Sequence, residues 1–284
     1  MAVYSWVCLT GHILRANCFL LSNQATMSFA PNSKSIDSWS YDHYNTRMVE
    51  AERRDIGVGE LGELRIKLDQ MTERITSRFK DRSRFPVNSP IYQPDGVPIV
   101  GRSGISLLQF AIEGLESYHT SLGRYDDPDQ YPVLGVNLPL SSVVRTEKRP
   151  SLPRININSN DTLIPFYQDL VSKYCKPEDD PDSYGETAYV DADLIQMIHE
   201  RVNIGRYVAE VKGKTDPSVY DVKSDNNLLI SKLKDRTREE ALLQKVSNTA
   251  QAYELSPDMV VDAFKWIIDK TLDIEIAYIQ QVGR

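Results

Sequence analysis

The chain has 284 residues, 41% hydrophobic and 26% charged, with 14 Gly and 15 Pro. That composition excludes a fibrous or wholly disordered protein and leaves enough chain to bury a core without disulfide or metal staples. With 33 Lys and Arg against 40 Asp and Glu, the formal charge of -7 disfavours nucleic-acid backbones and anionic membranes as partners and, taken as an average, small anions too.

Residues 1–36 carry no Asp or Glu and several serines, a weak transit signature. The plainer reading is a disordered leader, with Met27 as a second candidate start. Cys8, Cys18 and Cys175 are an odd set at spacings that fit no zinc or thiol-redox motif, so a reducing compartment, the cytoplasm, is expected, with a plastid as the alternative if residues 1–36 direct import. No apolar run approaches the roughly 20 residues that span a bilayer. From Leu61 the pattern changes. Leu61, Leu64, Leu68, Met71, Ile75 and Phe79 recur at helical spacing until Pro86, which predicts a long amphipathic helix.

A Pro/Gly-rich stretch (86–104) leads to a predicted helix over Ser106 to Leu122, with Gly123 as its C-terminal cap. Residues 126–153 hold five prolines and read as loop. Helix resumes over Thr162 to Tyr174, and the acidic 176–184 segment reads as an exposed loop. Further helices are predicted over Ala188 to Lys212, over Asn226 to Tyr253 with a break, and over Pro257 to Val282, the last opened by Ser256, Pro257 and Asp258. No alternating strand pattern competes. The expected fold class is all-α, a single-domain multi-helix bundle over residues 59–284 behind a leader of residues 1–58.

The informative residues are charges that fall on apolar stripes when each helix is plotted at 100° per residue. Arg201 and Lys212 fall at the centre of the stripe of Leu194, Ile198, Gly205 and Val208, and eleven residues, close to three turns, put both on one side. Thr271 and Glu275 occupy the centre of the stripe of Phe264, Ile268 and Tyr278. Asp235 and Glu239 repeat the arrangement against Leu242, Val246 and Ala250, and Arg65 flanks Leu64 and Leu68. One such residue is ordinarily a structural ion pair or a side chain snorkelling to water. Four helices sharing the feature point instead to a pocket, because burying these groups costs several kcal/mol each unless they are paired or bind a ligand. Three cations facing acidic and hydroxyl groups suit a small molecule with two carboxylates and a hydroxyl.

Other chemistry finds little support. His12, His43, His119 and His199 stand at no metal-ligand spacing, Gly57, Gly59 and Gly62 follow no strand, and no nucleophile elbow is present. No metal or other cofactor is expected, nor a covalent intermediate.

These residues carry a resemblance to the eukaryotic, all-helical chorismate mutases of fungi and plants, over about Leu61 to Val282. Arg201-Val-Asn-Ile-Gly-Arg-Tyr-Val-Ala-Glu-Val-Lys212 resembles the family's Arg-Ile-His-(aromatic)-Gly-Lys-Phe-Val-Ala-Glu-(small)-Lys, with Asn203 and Ile204 in place of the His and the aromatic. Leu64-Arg65, Met71 and Arg82-Ser83-Arg84-Phe85 are similar to its first catalytic helix. Thr237-Arg238-Glu239-Glu240-Ala241 and Lys270-Thr271 through Glu275 to Tyr278 resemble two later runs, while Asp235, Arg238 and Glu239 read like the Asp-x-x-Arg-Glu of the short bacterial mutases. Gly123-Arg124-Tyr125 with Asp127, Pro128, Asp129 and Pro132 is similar to a plant-type loop.

The resemblance implies the pericyclic rearrangement of chorismate to prephenate, on the route to Phe and Tyr. It implies catalytic roles for Arg65, Arg201, Lys212, Glu239, Thr271 and Glu275, and substrate contacts for these together with Asp235 and Arg238. Arg65, Arg201 and Thr271 would take the carboxylates. Lys212 would donate to the ether oxygen, Glu239 would accept from the ring hydroxyl, and a protonated Glu275 would donate to the ether oxygen. A homodimer through Ser106 to Leu122 is implied, as is allosteric Tyr or Trp binding near Arg124, Ser183, Gly185 and Glu186. Glu186 replaces the family's Ser and adds a negative charge there. The alternative is a helical binding or regulatory protein that keeps the scaffold with weak or no catalysis.

Overall fold

The computed structural model describes residues 58–126, 130–143, 152–153 and 160–282, all within one compact unit, residues 48–284. Residues 1–57 of the expected leader, with Cys8, His12, Cys18, Met27 and His43, and Asp127 to Asp129 lie outside the described residues, and Val58, the last residue assigned to that leader, opens the first helix. Helix α1 is Val58–Arg82, α2 Leu107–Ser121, α3 Asn160–Tyr174, α4 Tyr184–Asn203, α5 Gly205–Thr215, α6 Asn226–Leu233, α7 Arg236–Ala252 and α8 Pro257–Val282. Among the described residues there is no strand, only an isolated bridge between Ile99 and Arg102, and no helix is long and apolar enough to cross a membrane.

Local signals act where the sequence places them. The Ser106 hydroxyl caps α2 by accepting from the Gln109 amide at 3.0 Å, which satisfies one of the orphan donors of the first turn. After Leu122, Gly123 takes φ +69°, the left-handed turn that glycine makes without a Cβ penalty. Helix α8 begins at Pro257 as expected.

Helix α4 is the axis of the bundle. It is buried on nearly every side and packs against α1, α2, α3 and α8, the behaviour of a helix with little polar face to give to water. Its apolar residues Leu194, Ile195 and Ile198 join Ile75 and Phe79 of α1, Ile112 of α2, Tyr167 of α3 and Phe264 of α8 in the main core. A fully buried Asp191 is held in that core by Arg82 at 2.6 Å and by the hydroxyls of Tyr92 (2.5 Å) and Tyr167 (2.6 Å). Burial pushes its carboxyl up, and Arg82 leads the groups that pull it back. Arg82 also donates to the carbonyls of Phe85, Pro86 and Val87, so the chain leaving α1 is tied to α4. Buried Glu116 of α2 performs a similar service for the 133–135 loop, accepting from the amides of Val133, Leu134 (3.0 Å) and Gly135 (2.9 Å).

Two expectations change. The predicted single helix over Ala188 to Lys212 begins earlier, at Tyr184, and is interrupted at Ile204. There the Asn203 amide turns to the His199 ring (3.0 Å) and the His199 carbonyl (2.9 Å) while its oxygen accepts from Arg206, a local bonding pattern that competes with regular helix. The break foreseen in the 226–253 segment is the two-residue link Lys234 and Asp235.

Candidate functional site

Smaller clusters flank the main core. Leu68 and Met71 of α1 pack on Ile204 and Val208, while Ala209 of α5 joins Leu229, Leu233, Tyr278 and Ile279. Where α1, α4, α5, α7 and α8 converge between them, a cavity of about 620 Å³ opens, within the range of small-molecule sites.

Arg65, Arg201, Lys212, Glu239, Thr271 and Glu275 all line it, as do Asp235 and Arg238. Arg201 is 6% exposed, and its Nε is buried without a hydrogen-bond partner. Burial, then the nearby Arg238, pulls the guanidinium down to about 10 against Glu275 and Asp69. An orphaned buried donor on a cation is costly, and an anion in the cavity would relieve it. Arg238 is lowered for the same two kinds of reason, burial and then the neighbouring Arg65.

Lys212 is engaged differently. Its ammonium donates to Glu275 Oε2 at 2.7 Å and to the Leu233 carbonyl at 2.6 Å, leaving one N–H for a ligand. Glu275 is 5% exposed. Burial raises its carboxyl above the usual range, and Lys212 and Arg201 only partly offset this. Thr271, which lines the cavity, donates to the Ile267 carbonyl one turn back (2.7 Å), which holds its rotamer.

Arg65 sits on an exposed stretch of α1 at the cavity wall. The Asp235 carboxylate does not point along the α7 stripe as the sequence pattern suggested. It caps α7 by accepting from the Arg238 amide at 3.2 Å, because a short acid before a helix satisfies a free N–H better there than from the apolar face. Among the lining groups that escaped the stripe analysis are Lys234 and Asp69. Lys234, in the α6–α7 link, pairs with Glu239 at 3.5 Å, and a residue between helices has no stripe to betray it. Asp69 pairs with Lys245 of α7 at 3.4 Å; its position four residues after Arg65 was the available signal.

The comparisons with known proteins agree on one family. The model described as chorismate mutase type II matches residues 183–276. Chorismate mutase 1, chloroplastic, of Arabidopsis thaliana is 26% identical over 247 residues, covering 76% of this chain and 72% of the relative. The chorismate mutase of Schizosaccharomyces pombe is 26% identical over 242 residues, covering 77% and 94%. Over about three quarters of its length the chain is similar to the chorismate mutases of plants and fungi. Among solved structures, AtCM1 with tyrosine bound in its allosteric site superposes on this chain with a TM-score of 0.69 at 27% identity, covering 78% of this chain and 96% of that one.

Within one copy of the chain, the effector-contact candidates do not meet. Arg124 pairs with Glu200 near the end of α4 and donates to Gln130 (3.1 Å). Ser183 is buried at the opposite end, accepting from the Asn88 amide and donating to the Asp180 carbonyl, both at 3.1 Å. Gly185 and Glu186 follow it, exposed, in the first turn of α4. At 1.5 Å per residue the helix between Ser183 and Glu200 holds the two groups about 25 Å apart.

Proposed function

We propose that the cavity converts chorismate to prephenate by [3,3] rearrangement, with the side chains named above as its machinery. The observation that carries this reading is the juxtaposition of an unpartnered, buried Arg201 with the Lys212–Glu275 pair in one small-molecule cavity. No bond to the protein forms in such a reaction. The protein's contribution is to hold a flexible dianion in its compact reactive shape and to stabilise charge growing on the ether oxygen as the C–O bond lengthens.

Arg201 and Arg65 bind the carboxylates, helped by Arg238 and by the Thr271 hydroxyl once its proton turns from the Ile267 carbonyl to the ligand. Lys212 donates its remaining N–H to the ether oxygen. Glu275 accepts from Lys212 through Oε2 and, with its raised affinity for a proton, carries that proton on the other oxygen as a second donor. Glu239, paired with Lys234, accepts from the ring hydroxyl. Purified protein should consume the ultraviolet absorbance of chorismate and yield prephenate. Absence of both from mildly acidic to neutral pH would sink the reading.

The working unit proposed is a homodimer. Phe110 and Tyr118 on α2 and Leu122 at its C-terminal cap are exposed at intervals of eight and four, and exposed Leu140 and Val143 lie on the neighbouring loop, which the Ser142 amide ties to the Ser121 carbonyl at 2.8 Å. Such a stripe beside further apolar groups is unusual for a solvent-facing helix. A second copy would also allow Arg124 of one chain to approach the Ser183 to Glu186 turn of the other, giving a site for tyrosine or tryptophan. Assays with and without each amino acid test that, and insensitivity to both would remove the effector role. The proposed catalytic domain is residues 59–284, the first 58 residues being a leader, and the proposed compartment is the cytoplasm. Imaging the tagged full chain decides between cytoplasm and plastid.

A further inference from the structure

The joint between α4 and α5 carries more than a change of helix direction. Arg201 lies just before it and Lys212 two turns beyond, and both reach the same cavity. Gly205 opens α5 directly against α8: a Cβ there would lie 2.9 Å from the Thr271 carbonyl oxygen, 3.2 Å from Thr271 Cγ2 and 3.3 Å from Ile274 Cβ. The joint therefore rests on α8 at a residue that itself lines the cavity. On its other side a buried polar group closes the bend. Asn203 bridges His199 and Arg206, and the Arg206 guanidinium lies over the Tyr131 ring, 4.1 Å from its centroid. His199, Asn203 and Arg206 are all buried.

Tyr131 belongs to the loop that follows the short 3-10 turn Arg124–Asp126. That loop grips both sides of the joint. Arg124 pairs with Glu200 and Gln130 donates to the same carboxylate at 3.4 Å, one residue before Arg201. Tyr131 holds Arg206, one residue after Gly205. Packed interiors transmit such constraints because they have little free volume in which to yield.

The geometry points to Arg206 and Tyr131 as positioning residues: their stack clamps the α4–α5 joint against α8 and so sets where Arg201 and Lys212 stand relative to Thr271 and Glu275. This rests on the reading of the cavity as the catalytic site. Neither residue lines the cavity, so neither acts on substrate directly. Their effect passes through the spacing of the two cations from the α8 groups, to which a preorganised site is sensitive on the ångström scale.

The test uses the full chain with Tyr131→Phe, Tyr131→Leu, Arg206→Met and Gly205→Ala, and Leu163→Ala in α3 as a destabilised control remote from the joint. Well below each variant's melting temperature, Tyr131→Leu, Arg206→Met and Gly205→Ala should lower kcat roughly 10- to 100-fold. Tyr131→Phe, which keeps the ring face, should stay within about twofold of wild type, as should the control. Amide hydrogen exchange across residues 201–212 should quicken at least tenfold in Tyr131→Leu and not in Tyr131→Phe.

Equal loss of stability in the joint variants and the control, with kcat unchanged in all, would reduce the clamp to ordinary packing and overturn the proposal. Exchange is independent of turnover. If the wild-type protein proves inactive, the mutase reading falls, while unchanged exchange in Tyr131→Leu would by itself refute the clamp.

Discussion

Replacing Lys212 by methionine keeps the apolar stem and deletes the ammonium, so it isolates what that charge does. The ammonium lies 2.7 Å from Glu275 Oε2 and 2.6 Å from the Leu233 carbonyl, fixed before any ligand arrives, and its third N–H is left for a ligand in the cavity that Lys212 lines. A fixed donor to charge that develops only in the transition state is worth about 2.7–4 kcal/mol, or roughly 10²–10³ in kcat. The stability cost should be smaller. The Lys212 side chain is 30% exposed and that of Glu275 only 6%, and a Glu275 left alone can take up a proton instead of staying charged. The loss is then that of one charge-assisted hydrogen bond, about 1.5–3 kcal/mol, rather than of a stranded buried ion. Turnover followed by chorismate absorbance, and unfolding followed by circular dichroism in urea, separate the two. A variant with kcat within threefold of wild type would refute the assignment of Lys212 as a transition-state donor, and a stability loss above about 5 kcal/mol would refute the account of Glu275 as able to neutralise itself.

Further outcomes follow from the same geometry. Because burial raises the Glu275 carboxyl and the proposed donor is its protonated form, kcat should be highest on the acid side and fall as pH rises through that raised value. Glu275→Gln, which donates at any pH, should flatten the profile, and an unchanged profile in that variant would remove Glu275 as its source. His199 is buried neutral and drawn down to about 3, so the unfolded chain binds the extra proton between pH 3 and its ordinary value of about 6.5. Stability should therefore fall with acid by up to about 1.4 kcal/mol per pH unit in that window, and His199→Gln should remove that part of the slope. Arg82→Met strands the buried Asp191 among two tyrosines and should cost about 3–5 kcal/mol, seen as a lower urea midpoint with little change in kcat at temperatures where the fold persists. Tyr118→Glu places a charge on the exposed stripe of α2 and should give a monomer in sedimentation velocity if that face joins two copies; an unaltered dimer would exclude this surface.

How far the sequence reaches can be judged residue by residue. The helices around Leu68, Ile112, Leu163, Leu194 and Phe264 were legible because a 3.6-residue period is a property of each segment alone, and burial of one face follows from it. The inward charges were legible for the same reason, since an Arg or Glu at the centre of an apolar stripe is anomalous before any partner is known. Lys234 was not, because it sits between helices where no period exists. Asp235 was misread, since its role as the α7 cap depends on the exact residue at which the helix starts. The interruption at Ile204 was hidden as well. It goes with the turning of the Asn203 amide onto His199 and its oxygen onto Arg206, a choice of side-chain partners that a helical period does not register.

Net charge shows the same division. An average of -7 says nothing about a dianion once the charges acquire positions. By itself the sequence determined that the chain is all-helical and that several of its helices must each turn an ionisable side chain toward the interior. Only the tertiary structure decided that these side chains meet in a single cavity, that Arg201 is left without a partner at Nε while Lys212 and Glu275 find one another, and that α5 can approach α8 closely at Gly205. Local periodicity is encoded within a few turns, whereas the distance between two charges on different helices is set by how those helices pack.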